Sequence, residues 1–284
     1  MRILLVLIYC ILAFVIITIY KMMNQTSENN SYLDFYGETL DLRRDFEKAD
    51  NQSLIIVITP TYYRLTQLPD MTRMANTLMH VKNLHWIVIE DGEKKNENIE
   101  SLLKRSNISN SYFTFKTKPG YPKRGWYQRS MALTLLRRTE FNNTNAVVFF
   151  GDDDNSYDIR LFTEYIRNVK KLGMWAVGHA GGGIAANLNV VKGKVIDFDV
   201  SWGEWRKFGI DMAGFAIHLD FVLKTDAIFH GKICGRRTPE TCLLEEMHFS
   251  RDDIEPFGYE TNGAREIYRF FVCRVATQLL NRMI

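Results

Sequence analysis

The run Val147-Val148-Phe149-Phe150-Gly151-Asp152-Asp153-Asp154-Asn155 constrains this chain more than any other stretch. Four consecutive apolar residues, β-branched and aromatic, read as a short strand buried on both faces. The strand stops at Gly151, and three carboxylates follow at once. Like charges this close repel, and a divalent cation relieves the repulsion most directly. Oxygen ligands at the C-terminal edge of a strand suit Mg²⁺ or Mn²⁺ carrying a substrate diphosphate. In open α/β sheets that edge is also where ligands bind. The competing reading is an acidic turn capping the next helix through Asn155 or Ser156.

Strands and helices alternate around this run. Leu54 to Ile58 reads as a buried strand closed by Thr59-Pro60-Thr61, and Leu84 to Ile89 as a second, ending in Glu90-Asp91-Gly92. Between them Leu65, Leu68, Met71, Met74, Ala75 and Leu78 recur at helical spacing within Arg64 to Val81. Ile99 to Leu103, Trp126 to Arg138 and Leu161 to Leu172 are further helices, while Tyr112 to Lys116 and Trp175 to Val177 are further strands. The alternation predicts βαβ units and an α/β fold, with a mostly parallel sheet and helices on both faces. The last third changes character, with a hairpin from Val190 to Val200 turning at Lys192-Gly193-Lys194, so it should be α+β. Neither GxGxxG nor GxxxxGK[ST] occurs, so a metal rather than a glycine cradle should hold any phosphates.

Residues 3–20, Ile3 to Tyr20, are uncharged and mostly Ile, Leu, Val and Phe. As a helix such a segment rises about 27 Å, enough to cross a thin bilayer. No small-residue cleavage site follows, so it is expected to be an uncleaved signal anchor. Residues 1–2 would then be cytosolic, 21–52 a stem partly helical from Leu40 to Ala49, and 53–284 the folded body. That body would divide into halves of about 53–155 and 156–284. Five N-x-[ST] sequons, at Asn24, Asn29, Asn51, Asn107 and Asn142, all follow the span and fit a body in the secretory lumen. With 36 basic and 33 acidic side chains and a net charge of +3, the chain lacks the basic excess of a nucleic-acid binder. Cys234 and Cys242 are candidates for a bridge that leaves Cys273 over, and no CxxC pair suggests structural zinc.

Several strings together resemble one family: Thr59-Pro60-Thr61-Tyr62, Trp86 to Asp91, Gln128-Arg129, Gly151 to Asn155, Asp211 to Ala216 and Pro239-Glu240. Their order and spacing are similar to those of the β1,3-glucuronyltransferases, Golgi type II membrane enzymes of glycosyltransferase family 43. The resemblance covers about Leu54 to Pro256. It implies a GT-A type nucleotide-diphospho-sugar transferase fold and an inverting transfer of glucuronic acid from UDP-glucuronate. The acceptor would be a terminal galactose of a glycoprotein or proteoglycan-linker glycan, with Mn²⁺ as cofactor and a homodimer as the assembly. The protein would be a single-pass type II protein of the Golgi membrane with its catalytic domain luminal. A transferase using another UDP-sugar, or an impaired paralogue that only binds sugar nucleotide or glycan, are the alternatives.

Residue by residue, the resemblance implies that Tyr62 stacks on uracil and Asp91 pairs with its edge. Arg124 and Arg129 would face the nucleotide and donor sugar. Asp153 would contact the ribose, Asp154 would ligate the metal, and Asp152 would support them. Trp202, Arg206 and Asp211 would hold acceptor and donor sugars. Arg236 would bind the donor, and Glu240, four residues on, would be the catalytic base. Elementary chemistry is consistent with these roles: a positioned carboxylate deprotonates the acceptor hydroxyl, a metal neutralises the leaving diphosphate, and guanidinium groups grip a glucuronate carboxylate bidentately. The chain departs from the family in two places. Ala185 and Asn187 stand where an Arg and an acceptor-binding Glu are usual, and the closing Trp-His-Thr-Arg string is absent, leaving Arg269 and Arg274 as substitutes for its His.

Overall fold

A computed structural model describes Ile16 and residues 39–49, 52–141, 143–178, 185–200, 206–231, 238–259 and 272–274. Apart from Ile16, the expected membrane span lies outside these residues, as does most of the expected stem. Among the described residues no helix is long and apolar enough to cross a membrane.

In chain order the body runs α1 (Arg43–Ala49), β1 (Leu54–Thr61), α2 (Gln67–Leu78), β2 (Leu84–Glu90), α3 (Glu97–Ser106), β3 (Ser109–Thr114), α4 (Trp126–Arg138), β4 (Ala146–Phe150) and β5 (Asn155–Tyr157). It continues with β6 (Leu172–Met174), β7 (Val177–Gly178), β8 (Ala185–Val191), β9 (Lys194–Asp199), β10 (Phe215–His218), α5 (Leu219–Leu223), α6 (Pro239–Glu246), β11 (Ile254–Pro256) and β12 (Val272–Arg274). Seven strands form the main sheet in the order β11-β6-β10-β4-β1-β2-β3. Strands β3, β2, β1 and β4 are mutually parallel. Strand β10 runs antiparallel to both its neighbours, and β11 is parallel to β6. The sheet is therefore mixed but mostly parallel, as the alternation predicts. Every residue of β1, β2 and β4 is buried, which requires cover on both faces and explains their unbroken apolar runs.

Pro60 lies within the central strand β1 without breaking it. Its register pairs it with Ile89 of β2, whereas pairing with β4 ends two residues earlier at Ile58 and Phe150. The missing N–H falls where β4 has already left the sheet, the position a strand proline tolerates. That departure opens the edge onto which the acidic turn folds. The Val190 to Val200 hairpin is present as β8 and β9, with Lys192 (φ 50°) and Gly193 (φ 76°) both left-handed at its turn.

Three local expectations are corrected. Strand β3 starts at polar Ser109 rather than at Tyr112, because the Ser109 and Ser111 hydroxyls lie 3.1 and 2.9 Å from the two ring nitrogens of His85 in β2. The helix expected through Leu172 is a π-turn, Leu161–Tyr165, and a 3-10 turn, Ile166–Asn168. Leu172 is taken by the sheet, a tertiary demand that overrides local propensity. The strand expected at Trp175 to Val177 falls mostly in the gap between β6 and β7, with the Trp175 indole donating to the Ala213 carbonyl (2.9 Å). At the stem, Leu40 and Leu42 are buried and Asp45 of α1 lies 2.9 Å from the His85 ring, so this helix belongs to the body.

Candidate active site

Parallel pairing of β1 with β2 and β4 brings Thr61, Asp91 and the Gly151 to Asp154 turn to one edge of the sheet. The edge is tied together by backbone: Asp91 N–H donates to the Thr61 carbonyl (2.8 Å) and Gly151 N–H to the Ile58 carbonyl (3.0 Å). Strand β10 is antiparallel to β4, with Ala216 opposite Phe149, so its N-terminal end lies beside the C-terminal end of β4. The Asp211 to Gly214 segment that leads into β10 is delivered to the same edge. Sheet topology thus joins residues from both halves of the chain.

The acids of the turn are not equivalent. Asp153 is 7 % exposed, and its Oδ2 accepts from the Thr61 hydroxyl (2.6 Å) and the Arg64 guanidinium (2.9 Å). Burial pushes its carboxyl above the usual range, opposed by Arg64 and Thr61. Asp152 is ion-paired with Arg129, whose other nitrogen donates to the Arg124 carbonyl (3.1 Å). Gly125 makes this possible: its φ is +71°, and a Cβ there would sit 2.8 Å from both the Arg129 guanidinium and Pro60. Asp154 is partly exposed. Behind the turn the Tyr157 hydroxyl donates to the Asp152 carbonyl (2.9 Å).

Tyr62 is 53 % exposed with the Arg64 guanidinium 4.7 Å from its ring centre, leaving much of the ring open. Asp91 accepts from the Thr117 amide (2.7 Å) and hydroxyl (2.6 Å), and Gln128 donates to Thr117 (3.1 Å) and to the Phe115 carbonyl (2.7 Å). Arg124 is exposed at the start of α4.

On the other side of the edge, Glu240 is the second residue of α6, behind Pro239 and the capping Thr238, as the Pro-Glu pair predicts. The Thr241 hydroxyl donates to the Phe208 carbonyl (3.0 Å) and fixes α6 to the Arg206 to Asp211 segment. Asp211 caps the short Met212–Gly214 turn through the Ala213 amide (3.1 Å). Arg206 is buried and donates to the Ile210 carbonyl (3.3 Å). Desolvation and the neighbouring Asp211 carboxylate push the Glu240 pKa up to about 7, against Thr238 and Arg206. Burial in turn lowers the Arg206 pKa from its ordinary value. A carboxyl poised near neutrality is suited to proton transfer rather than to fixed charge.

Of the residues singled out from sequence, Trp202, Arg236 and Arg269 lie outside the described residues. Cys242 is disulfide-bonded, while Cys234, its candidate partner, is also outside them. The residues that sequence reasoning missed are Arg64, just before α2, and Asp70 and Arg73 within it, which hold the acidic turn. Their only sequence signal is the Asp70/Arg73 pair at helical i,i+3 spacing.

Fold and site together define an α/β protein whose mostly parallel sheet gathers carboxylates and guanidinium groups at one edge. Residues 74–270, more than half of the chain, match the profile of glycosyltransferase family 43, and the chain belongs to that family. It is 38% identical over 214 residues to galactosylgalactosylxylosylprotein 3-beta-glucuronosyltransferase sqv-8 of Caenorhabditis elegans, covering 71% of this chain and 60% of that protein. It is 37% identical over 250 residues to galactosylgalactosylxylosylprotein 3-beta-glucuronosyltransferase S of Drosophila melanogaster, covering 84% and 59%. It is 36% identical over 223 residues to galactosylgalactosylxylosylprotein 3-beta-glucuronosyltransferase 1 of Homo sapiens, covering 73% and 66%. The chain therefore spans about three-fifths to two-thirds of the length of these relatives.

Proposed function

We propose that the protein transfers glucuronic acid from UDP-glucuronate to a terminal galactose, with inversion, in the lumen of the Golgi. The observation that carries this reading is one sheet edge bearing an acidic turn on one side and Glu240, poised near pH 7, on the other. Curated relatives bearing the name of such a transferase support the donor and acceptor. The membrane anchor and luminal side rest on the N-terminal apolar run and the sequons.

Among the described residues no three His, Cys, Asp or Glu side chains form a ready-made cation site. Asp154, the last acid of the turn and partly exposed, is the one that would hold a metal by the resemblance to the family. One carboxylate fits a hard cation that takes its other ligands from a diphosphate and water. Bound there, Mn²⁺ would neutralise charge on the departing diphosphate. The chain's own residues do the rest. Tyr62 offers a ring face to the base, and Asp91, already fixed by Thr117, offers carboxylate lone pairs to its edge. Arg129 would meet the donor phosphates or the glucuronate carboxylate, and Arg206 and Asp211 would hold the sugars. Glu240 takes the proton from the galactose hydroxyl as its oxygen displaces UDP in a single step.

Incubating the purified protein with UDP-glucuronate, Mn²⁺ and a galactose-terminated acceptor should release UDP and lengthen the glycan by one glucuronate. Transfer from a different UDP-sugar alone would overturn the donor assignment. A second reading, binding without turnover, is favoured by one observation. Asn187, at the place of the family's acceptor-binding Glu, turns its side-chain oxygen to the adjacent Leu188 amide (2.8 Å). UDP binding with no product under these conditions would establish that reading.

A further inference from the structure

Arg64 sits between two buried acids and an aromatic ring. One guanidinium nitrogen meets Asp153 at 2.9 Å and another meets Asp70 of α2 at 2.8 Å. The same group lies 4.7 Å from the Tyr62 ring centre. Asp70 is 3 % exposed and also accepts from Arg73 (3.1 Å), which donates in turn to the backbone carbonyls of Asp153 (3.4 Å) and Asn155 (3.2 Å). The result is a closed ring of charge-assisted bonds running from α2 to the acidic turn and back. Such bonds are short, directional and strong where water is excluded.

We propose that Arg64, anchored by Asp70, is the positioning residue of the donor site, setting the Asp152 to Asp154 turn and the Tyr62 ring in register for a nucleoside diphosphate. The inference deepens the donor-site reading above and rests on it. Arginine is required because its planar fork serves two carboxylates at once, while a lysine ammonium is a point charge on a flexible stem. Asp70 is the anchor because it is fixed on a helix and shared by two guanidiniums. A residue that fixes the supports of a ligand-binding group typically contributes about 10–100-fold to affinity or activity.

Two measurements on the whole chain test this. The first is UDP affinity in the presence of Mn²⁺ by calorimetry, for the unmutated protein and for Arg64→Met, Arg64→Lys, Asp70→Asn and Arg64→Met/Asp70→Asn. Arg64→Met should bind UDP about 10–100-fold more weakly, with Arg64→Lys recovering part of the loss. Adding Asp70→Asn should then do little, since both changes cut the same chain of bonds. The second is hydrogen exchange. Arg64→Met should speed exchange in the peptide carrying Gly151 to Tyr157 while leaving the β8–β9 hairpin unchanged. A folded Arg64→Met protein that binds UDP within threefold of the unmutated one, or an Arg64→Lys protein that binds as tightly as the unmutated one, overturns the proposal. So do losses from Arg64→Met and Asp70→Asn that simply multiply, or exchange that rises everywhere. If Arg64→Met does not fold, Arg64→Lys and Asp70→Asn carry both measurements. An unmutated protein that does not bind UDP overturns the donor-site reading itself, and with it the role of Arg64.

Discussion

The two sides of the sheet edge treat their carboxylates in opposite ways. On the β1/β4 side, Asp152 and Asp153 each meet an arginine, and Asp153 also accepts from Thr61. On the α6 side, Glu240 faces another acid, Asp211, and its pKa is pushed up to about 7. Both sides are largely shielded from water, so burial alone does not separate them. The partner does. At Asp153 burial raises the carboxyl and the guanidinium opposes it, whereas at Glu240 burial and a neighbouring carboxylate push the same way, toward proton exchange near neutral pH. One side is built for holding charge and the other for moving protons.

The sharpest way to break this contrast is to remove the proton acceptor and nothing else. Glu240→Gln keeps the volume and hydrogen-bonding shape, so kcat should fall by about 10²–10⁴ while UDP and acceptor binding persist. Near-normal kcat in a folded Glu240→Gln protein would move the base elsewhere, first to Glu245 or Glu246. On the other side, Asp154→Ala should abolish the gain in UDP affinity that Mn²⁺ provides and leave the fold intact. Unchanged Mn²⁺ enhancement in that variant would remove Asp154 from the metal site.

How far the sequence alone leads follows the same divide. The buried strands, the acidic turn and the Pro239-Glu240 helix start are local patterns, and each lies where its pattern predicts. The supports of those acids are not local. Arg64 and Asp153 are 89 positions apart, and Asp45 and His85 are 40 apart, so no spacing rule links them. The π-turn at Leu161–Tyr165 escapes for the same reason, since Leu172 is claimed by strands β10 and β11 from much later in the chain. The Glu240 pKa is equally invisible in sequence, because it depends on burial in the folded edge and on Asp211 arriving with β10.

A pH series sharpens the contrast. If Glu240 is the base, kcat/KM should rise about tenfold per pH unit at acidic pH and level off near pH 7. Asp211→Asn should shift that midpoint downward by removing the like charge. Stability should run the other way. Between the ordinary value of 4.5 and about 7, the folded state keeps a proton that the unfolded state has released. Stability therefore falls as pH rises through that window, by roughly 3 kcal/mol. Glu240→Gln should be more stable than the unmutated protein at pH 8 and about equal to it at pH 4, read from urea midpoints. Equal midpoints at pH 8 would show that Glu240 is not under this strain.

The smallest expected effect separates the neighbours in the acidic turn. Asp152 is partly exposed and acts through Arg129, which is 4 % exposed and keeps its second bond to the Arg124 carbonyl whatever happens to Asp152. Asp152→Asn leaves an amide oxygen in place to accept from that guanidinium, so Arg129 should stay near its position. UDP affinity should then fall by less than about tenfold, under about 1.4 kcal/mol, and the Mn²⁺ enhancement should remain. Asp154→Ala should do the reverse, losing the metal response while the Arg129 pair survives. Calorimetric titration of both variants, with Mn²⁺ and with chelator, gives four affinities that sort the two acids. If Asp152→Asn abolishes the Mn²⁺ enhancement as completely as Asp154→Ala, the turn holds its metal with both carboxylates, and the division between a charge-holding pair and a metal-holding acid is wrong.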